Sequence, residues 1–252
     1  MTTIVEAPIR VQKRPRWDRP VRLTALYHAH VAAGAELVER DGWLLPRSYG
    51  NPTVEQTAVR EAVGLLDISE RGKVDLKSDD LDAALGAAFK GIGRVGVGRA
   101  VPAGERGTTR VCRLAEGQAL LVTAPDALQG TLDALGKVAS AQTCTHVTDL
   151  TSALCGLRLV GPKAPAVLER LSWLDLAPDR FADGALAQGS VARIHALIVR
   201  RDMAGGRMQY APTGYDLYVD RDLGAYLWAV LLEQGAPLGL KPVGRDVEEG
   251  LS

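Results

Sequence analysis

Two stretches of this sequence place chemistry-bearing side chains where a ligand could use them. In Thr213-Gly214-Tyr215-Asp216-Leu217-Tyr218 a carboxylate sits among aromatic and aliphatic residues. An ionised carboxylate is acceptor-only and can take two parallel bonds from one planar donor edge. Its alternation with Tyr215 and Leu217 would equally suit an outward-facing acid on a strand. After Lys241-Pro242-Val243-Gly244 comes Arg245-Asp246, where the guanidinium could grip an anionic group as a charge-assisted fork or remain a solvated charge. Arg193, His195, Arg200 and Arg201 form a basic stretch with the pattern of a solvated strand face. Other chemistries lack their constellations. His28 and His30, two apart, would point to different faces of a helix, and His146 is isolated, so no metal site is expected. Cys112, Cys144 and Cys155 show no CxxC spacing and form neither a disulfide framework nor a zinc cluster. Gly91, Gly93, Gly96 and Gly98 lack the strand–GxGxxG–helix context of a phosphate site and read as a flexible loop.

The elements that must position these residues repeat along the chain. From Gly72, Val74 and Leu76 alternate with Lys73, Asp75 and Lys77, which is strand periodicity. Ser78, Asp79 and Asp80 offer N-cap oxygens, and Leu81, Ala84, Leu85 and Ala88 recur at helical spacing. The same order returns from Gly156, with Leu157 and Leu159, the turn Gly161-Pro162-Lys163, and a helix carrying Val167, Leu168 and Leu171. Pro165 suits the first helical turn. Each unit is followed by two strands and a helix: Arg110–Leu114, Ala119–Thr123 and 125–135 in the first, then 190–200, Tyr215–Val219 and 222–234 in the second. The second pair is joined through the turn Ala204-Gly205-Gly206, and Gly235 stands as a helix C-cap. Short strands at His146–Leu150 and Lys241–Val243 close the halves. The pattern predicts an α+β fold of two ferredoxin-like β-α-β-β-α lobes in pseudo-repeat. Residues 23–150 would form the first lobe and 151–252 the second, with 1–22 a flexible or surface-lying basic arm. Ahead of the first repeat, 23–34 reads as a helix, 36–39 as a strand, 41–52 as a loop, and 54–63 as a helix closed by Gly64.

The 252 residues suit one or two domains. Lys plus Arg and Asp plus Glu are 30 each, and only 5% of residues are aromatic. That balance argues against a nucleic-acid binder, which carries a basic excess and often a stacking platform. No run approaches the roughly 18 apolar residues of a membrane span. The N-terminus has no apolar core of a secretory signal. With an odd number of cysteines, the expected compartment is the cytoplasm.

The run from Leu26 to Lys73 resembles the opening of the glycine-cleavage T-protein (aminomethyltransferase) family. It carries Gly34-Ala35, Gly42-Trp43, Pro46, Tyr49, Ala58-Val59-Arg60, Gly64-Leu65, Asp67, Ser69 and Gly72-Lys73 of that pattern. Gly161-Pro162-Lys163-Ala164-Pro165 and the stretch from Gly214 to Gly244 are similar to later parts of it. The resemblance implies a T-protein fold that binds tetrahydrofolate between its lobes. One carbon would pass from a small aminomethyl or methylated donor to N5 of the folate. It implies Asp216, where the family has Glu, as the carboxylate on the pterin edge, with Tyr49, Tyr215 and Arg245 as further folate-binding residues and Trp43 and Pro46 beside Tyr49 at the channel mouth.

Three departures qualify the expected activity. The family's catalytic Asp falls at Gly107 or Thr108, leaving Glu105 as the nearest acid. The family's Ser-His-Met-Gly is Ser69-Glu70-Arg71-Gly72, which puts a cation in an apolar wall. The chain ends where the family continues into a further domain, so a partner subunit would be expected to complete the channel. The second expectation is a non-catalytic subunit of an oxidase or dehydrogenase, similar to the gamma subunit of sarcosine oxidase.

Overall fold

The computed structural model describes residues 21–202 and 212–250. The expected turn Ala204-Gly205-Gly206 and all but the end of the expected arm lie outside the described residues.

The chain opens with β1 (Arg22–Leu23), α1 (Tyr27–Ala32), β2 (Glu36–Arg40), β3 (Trp43–Ser48), α2 (Pro52–Glu61) and β4 (Val63–Asp67). The stretch expected to be a loop is therefore a hairpin. Asp41 and Gly42 both have positive φ, 50° and 77°, which is the two-residue Asp-Gly turn that matches strand twist. Pro46 is tolerated in β3 because β1 pairs only with Trp43 and Leu44, so no ladder donor is needed there. Helix α2 starts where the side chain of Asn51 accepts from the amides of Thr53 and Val54, with Pro52 in its first turn. Gly64 does not close this helix. It lies inside β4, where a Cβ would come within 2.6 Å of Val59 Cγ2 and 2.9 Å of Val243 Cγ2.

The first repeat runs β5 (Gly72–Ser78), α3 (Leu81–Ala88), β6 (Arg99–Ala103), β7 (Thr109–Ala115), β8 (Gln118–Thr123), α4 (Leu128–Ala141) and β9 (Thr145–Asp149). Its sheet has the order β6-β7-β8-β5-β9, the ferredoxin-like order with β6 added at one edge. The second repeat runs β10 (Leu154–Val160), α5 (Ala164–Glu169), β11 (Leu186–Val191), β12 (Ile194–Arg200), β13 (Gly214–Asp220), α6 (Gly224–Gly235) and β14 (Leu240–Pro242), followed by α7 (Arg245–Gly250). The continuous strand expected over 190–200 is a hairpin turned at Ala192 and Arg193, both at positive φ. Gly235 ends α6 in right-handed geometry, and the left-handed residue is Gly239, at φ 84°.

The second sheet has the order β11-β12-β13-β10-β4-β14. It is the same order with β11 added at one edge and β4 inserted between β10 and β14. The strand preceding the first repeat thus completes the sheet of the second, and the chain passes between sheets within residues 68–71. Period-two alternation assigns the faces. Leu157, Leu159, Tyr215 and Leu217 pack with Val167, Leu168, Leu227 and Leu231 of α5 and α6. Val74, Leu76, Val111 and Leu121 pack with Leu81, Leu85, Leu135 and Val138 of α3 and α4. Cys112, Leu120, Val122, Leu197, Val199 and Tyr218 fill the space between the sheets. The result is helix, sheet, sheet, helix, the α+β architecture expected.

Candidate functional site

Ionisable residues gather where α7 and the 68–71 crossover meet the inner faces of the sheets. Arg158 on β10 and Asp216 on β13 are direct cross-strand partners. Both point between the sheets because their neighbours Leu157, Leu159, Tyr215 and Leu217 face the helices. Arg158 Nε donates to Asp216 Oδ1 at 2.6 Å and Nη2 to Oδ2 at 2.8 Å. Arg158 is 1% exposed and Asp216 2%. Burial opposes ionisation of Asp216, but the Arg158 guanidinium more than offsets it and holds the carboxyl below its ordinary range.

Arg158 Nη1 also donates to Glu248 Oε1 at 3.2 Å, and Arg71 Nη2 to the same oxygen at 2.8 Å. Arg245 pairs with Glu248 Oε2 and with Glu70 Oε2, and donates from Nη2 to the Asp67 carbonyl at 3.0 Å. Burial works against the Glu248 charge, yet Arg245, Arg71 and Arg158 bring its carboxyl down to about 2. Glu70 behaves in the opposite sense. Burial pushes its carboxyl up, and Arg245 and Arg71 offset this only in part.

A cavity of about 210 Å³ opens on this network. It is lined by Arg40 and Asp41 at the β2–β3 turn, Leu45, Glu70, Arg71, Ala124 and Pro125 just after β8, Arg245 and Glu248. Two buried polar atoms on its wall lack hydrogen bonds. Arg71 Nε has no acceptor, with Glu70 Oε1 at 4.0 Å, and Glu70 Oε2 lies against Arg245 without bond geometry. Buried polar atoms are ordinarily satisfied, so such a pair at a cavity wall marks a place for a ligand or water. A second cavity of about 300 Å³ shares Arg40 and Arg245 and adds Val38, Glu39, Arg47 and Asp246.

Several expected site residues fall elsewhere. Tyr215 is fully buried on the helix side of its sheet. Its hydroxyl donates to Leu176 O at 2.7 Å, and its ring stacks on Phe181. It is a core residue, because alternation on β13 turns it away from Asp216. Trp43 and Pro46 are buried as well. Tyr49 is half-buried, and its hydroxyl meets His30 Nδ1 at 2.8 Å. Glu105 lies on an exposed 3-10 turn that includes Gly107. The turn's end, Thr108, accepts from the Ala124 amide at 2.8 Å, but Glu105 does not line the cavity. Arg200 is not on a solvated face: 5% exposed, it forks onto Asp202 and donates to Phe181 O. Arg245 alone of the expected binding residues lines the cavity. Glu70 and Arg71 went unassigned as ligand groups, although two adjacent charges were visible between the strand patterns of 63–67 and 72–78.

Among the described residues there is no group of three or more His, Cys, Asp or Glu that could hold a metal, and no helix long and apolar enough to cross a membrane. Cys112 and Cys155 are buried and free, and Cys144 is exposed and free.

A family model, the GCVT N-terminal domain, matches residues 26–251. The chain belongs to that family. It is an aminomethyltransferase-like domain, 34% identical over 238 residues to an aminomethyltransferase of Streptomyces avermitilis, covering 91% of this chain and 62% of that protein. An aminomethyltransferase of Desulforamulus reducens is 29% identical, with 92% and 63% covered. The chain thus spans a little over three fifths of the length of the curated relatives it matches. The crystal structure of the glycine cleavage system aminomethyltransferase T from Bartonella henselae superposes with a TM-score of 0.76 at 22% identity, over 92% of this chain and 62% of that one. A chain of the heterotetrameric sarcosine oxidase from Corynebacterium sp. U-96 superposes with a TM-score of 0.60 at 23% identity, over 88% of this chain and 98% of that one. Both likenesses carry the T-protein fold expected from the sequence.

Proposed function

We propose that this domain binds tetrahydrofolate and serves one-carbon transfer from a small aminomethyl or methylated donor, in the cytoplasm and together with a partner subunit. The observation that carries this reading is the cavity whose wall presents Arg71 Nε without an acceptor beside the buried Glu70 carboxylate, which Arg245 holds, in a domain of the aminomethyltransferase-like family. A pterin edge offers ring N–H and amino donors beside a carbonyl acceptor. Glu70 suits the donors and Arg71 the acceptor. The first cavity alone is smaller than the roughly 300–1,000 Å³ of a drug-sized site. A neighbouring cavity of about 300 Å³ shares Arg40 and Arg245 with it.

Asp216, expected in the pterin role, is forked by Arg158 on both oxygens and does not line the cavity, so this reading gives it a structural part. That fork presents the same paired N–H donors that a 2-amino pyrimidinone edge would bring. Glu70, which lines the cavity, is the carboxylate this reading assigns to the ligand. When bound, tetrahydrofolate supplies the nitrogen that takes up the one-carbon unit. The chain's own part is to hold the ring against Glu70 and Arg71, with Arg245 and Glu248 fixing Glu70 from behind. Burial raises the Glu70 carboxyl above its ordinary range, and Arg245 and Arg71 offset this only in part.

Titration calorimetry with tetrahydrofolate under argon tests the reading. Saturable heat that is lost in Glu70→Gln supports it, and no heat from the wild type, with or without co-purifying chains, overturns it. A second reading, a non-catalytic assembly subunit, draws on the likeness to nearly the whole of a sarcosine oxidase chain, where the aminomethyltransferases are matched over about 62%. It predicts a stable complex with another chain and no heat with tetrahydrofolate.

A further inference from the structure

The turn that carries Glu70 and Arg71 is the crossover between the two sheets, and it is clamped from one side by a buried relay. His30, on α1, is 0% exposed. Its Nε2 meets Asp67 Oδ2 at 2.9 Å and its Nδ1 meets the Tyr49 hydroxyl at 2.8 Å. Trp228 packs edge-on against its ring at 5.1 Å between centroids. The other oxygen of Asp67, Oδ1, accepts from the Ser69 amide at 2.9 Å. The Asp67 carbonyl accepts from Arg245, the cation that also pairs with Glu70. Lys73 Nζ donates to the Ser69 carbonyl at 2.7 Å, and Ser69 Oγ accepts from the Gly156 amide at 3.1 Å. Backbone bonds hold Ile68, whose amide donates to Gly156 O and whose carbonyl accepts from the Arg71 amide, while side chains hold the Asp67 carbonyl and both backbone groups of Ser69; Asp67 is the member whose two oxygens tie α1 to the turn.

We propose that His30, braced by Tyr49, is a positioning residue: through Asp67 it sets the crossover turn and so the placement of the Glu70 carboxyl in the cavity. The consequence for ligand affinity rests on the folate reading above, whereas the consequence for Glu70 does not. A buried carboxylate that loses its hydrogen-bond donor must protonate or move. Either response releases Ser69 or shifts the Asp67 carbonyl from Arg245. The charged groups facing Glu70 are Arg245, Arg71, Glu248 and Asp67, with Lys73 behind the turn. A change at Asp67 therefore reaches Glu70 both by charge and by the position of Arg245.

The experiment follows the Glu70 side-chain carbon by NMR across a pH titration of the full chain, assigned by its absence in Glu70→Gln. Wild type, His30→Ala, His30→Gln and Tyr49→Phe are compared well below their unfolding temperatures. In His30→Ala the Glu70 midpoint is expected to move by about half a pH unit or more. His30→Gln, whose amide N–H can still donate to Asp67, should keep the midpoint close to that of the wild type, a rescue that a purely space-filling role for the ring would not give. Tyr49→Phe should move the midpoint in the same direction by less. Tetrahydrofolate affinity measured beside it should fall about tenfold in His30→Ala. An unchanged Glu70 midpoint in His30→Ala overturns the proposal. Should that variant fail to fold, an unchanged Glu70 midpoint in Tyr49→Phe overturns it equally. If the wild type gives no heat with tetrahydrofolate, the folate reading falls, while the Glu70 midpoints still decide the role of His30.

Discussion

Arg158→Met isolates the contact that removes Asp216 from the ligand site. The substitution keeps most of the aliphatic volume and deletes two hydrogen bonds to Asp216 and one to Glu248, all inside the protein. Removing one partner of a buried ion pair costs about 3–5 kcal/mol, because the other charge stays buried and uncompensated. At about 2–4 °C per kcal/mol for a chain of this size, the thermal midpoint should fall by roughly 6–20 °C. Replacing both partners, in Arg158→Met/Asp216→Leu, removes the stranded carboxylate and should return the protein to within about 1–2 kcal/mol of wild type. Glu248 then loses one donor but keeps Arg71 and Arg245. Denaturant unfolding of wild type, both single variants and the double variant closes the cycle. The account requires a coupling of about 2 kcal/mol or more. Additive effects, with coupling below about 0.5 kcal/mol, would refute the claim that Asp216 is engaged by Arg158.

Three further outcomes follow from the same geometry. Tyr215→Phe deletes the bond to Leu176 O and should cost about 1 kcal/mol by denaturant unfolding while leaving tetrahydrofolate affinity unchanged. Burial lowers the Lys73 ammonium from 10.5 to about 8, with Glu70 and Asp67 offsetting part of it. Between those values the unfolded chain binds the proton and the folded chain does not, so stability should rise as pH climbs from about 8 to 10.5, and Lys73→Met should abolish that rise. Glu248 is displaced the other way, from 4.5 to about 2, so its contribution is complete above 4.5 and lost as pH falls toward 2. Glu248→Gln should flatten the acid limb of an unfolding-versus-pH curve across that window.

The repeat was legible because each half writes its own periodicity. Val74 and Leu76, then Leu81, Ala84 and Leu85, announce a strand and a capped helix without reference to anything distant. The insertion of β4 into the second sheet was not legible, since Val63–Asp67 reads only as a buried strand and its partners Arg158 and Leu240 are long-range. The β2–β3 hairpin was signalled by Asp41-Gly42, but the Pro and Gly nearby favoured a loop until the short pairing of β1 showed why Pro46 costs no ladder bond. At the site, strand alternation put Tyr215 and Asp216 on opposite faces, although the resemblance had assigned both to the folate. What alternation could not supply was the partner across the sheet: Arg158 is 58 residues away in sequence. Glu70 and Arg71 were visible as adjacent charges between two strand patterns, and only the meeting of the crossover turn with α7 shows them on a cavity.

The central claim is that Glu70, and not Asp216, faces the ligand. Calorimetric titration of tetrahydrofolate into wild type, Glu70→Gln and Asp216→Asn tests it most directly. Loss of a hydrogen bond to a charged carboxylate is worth about 1.5–3 kcal/mol, so Glu70→Gln should weaken binding by about 10–150-fold. Asp216→Asn should instead lower stability and leave the affinity of the folded protein within about threefold of wild type. Unaltered affinity in Glu70→Gln together with abolished binding in a well-folded Asp216→Asn would contradict the account.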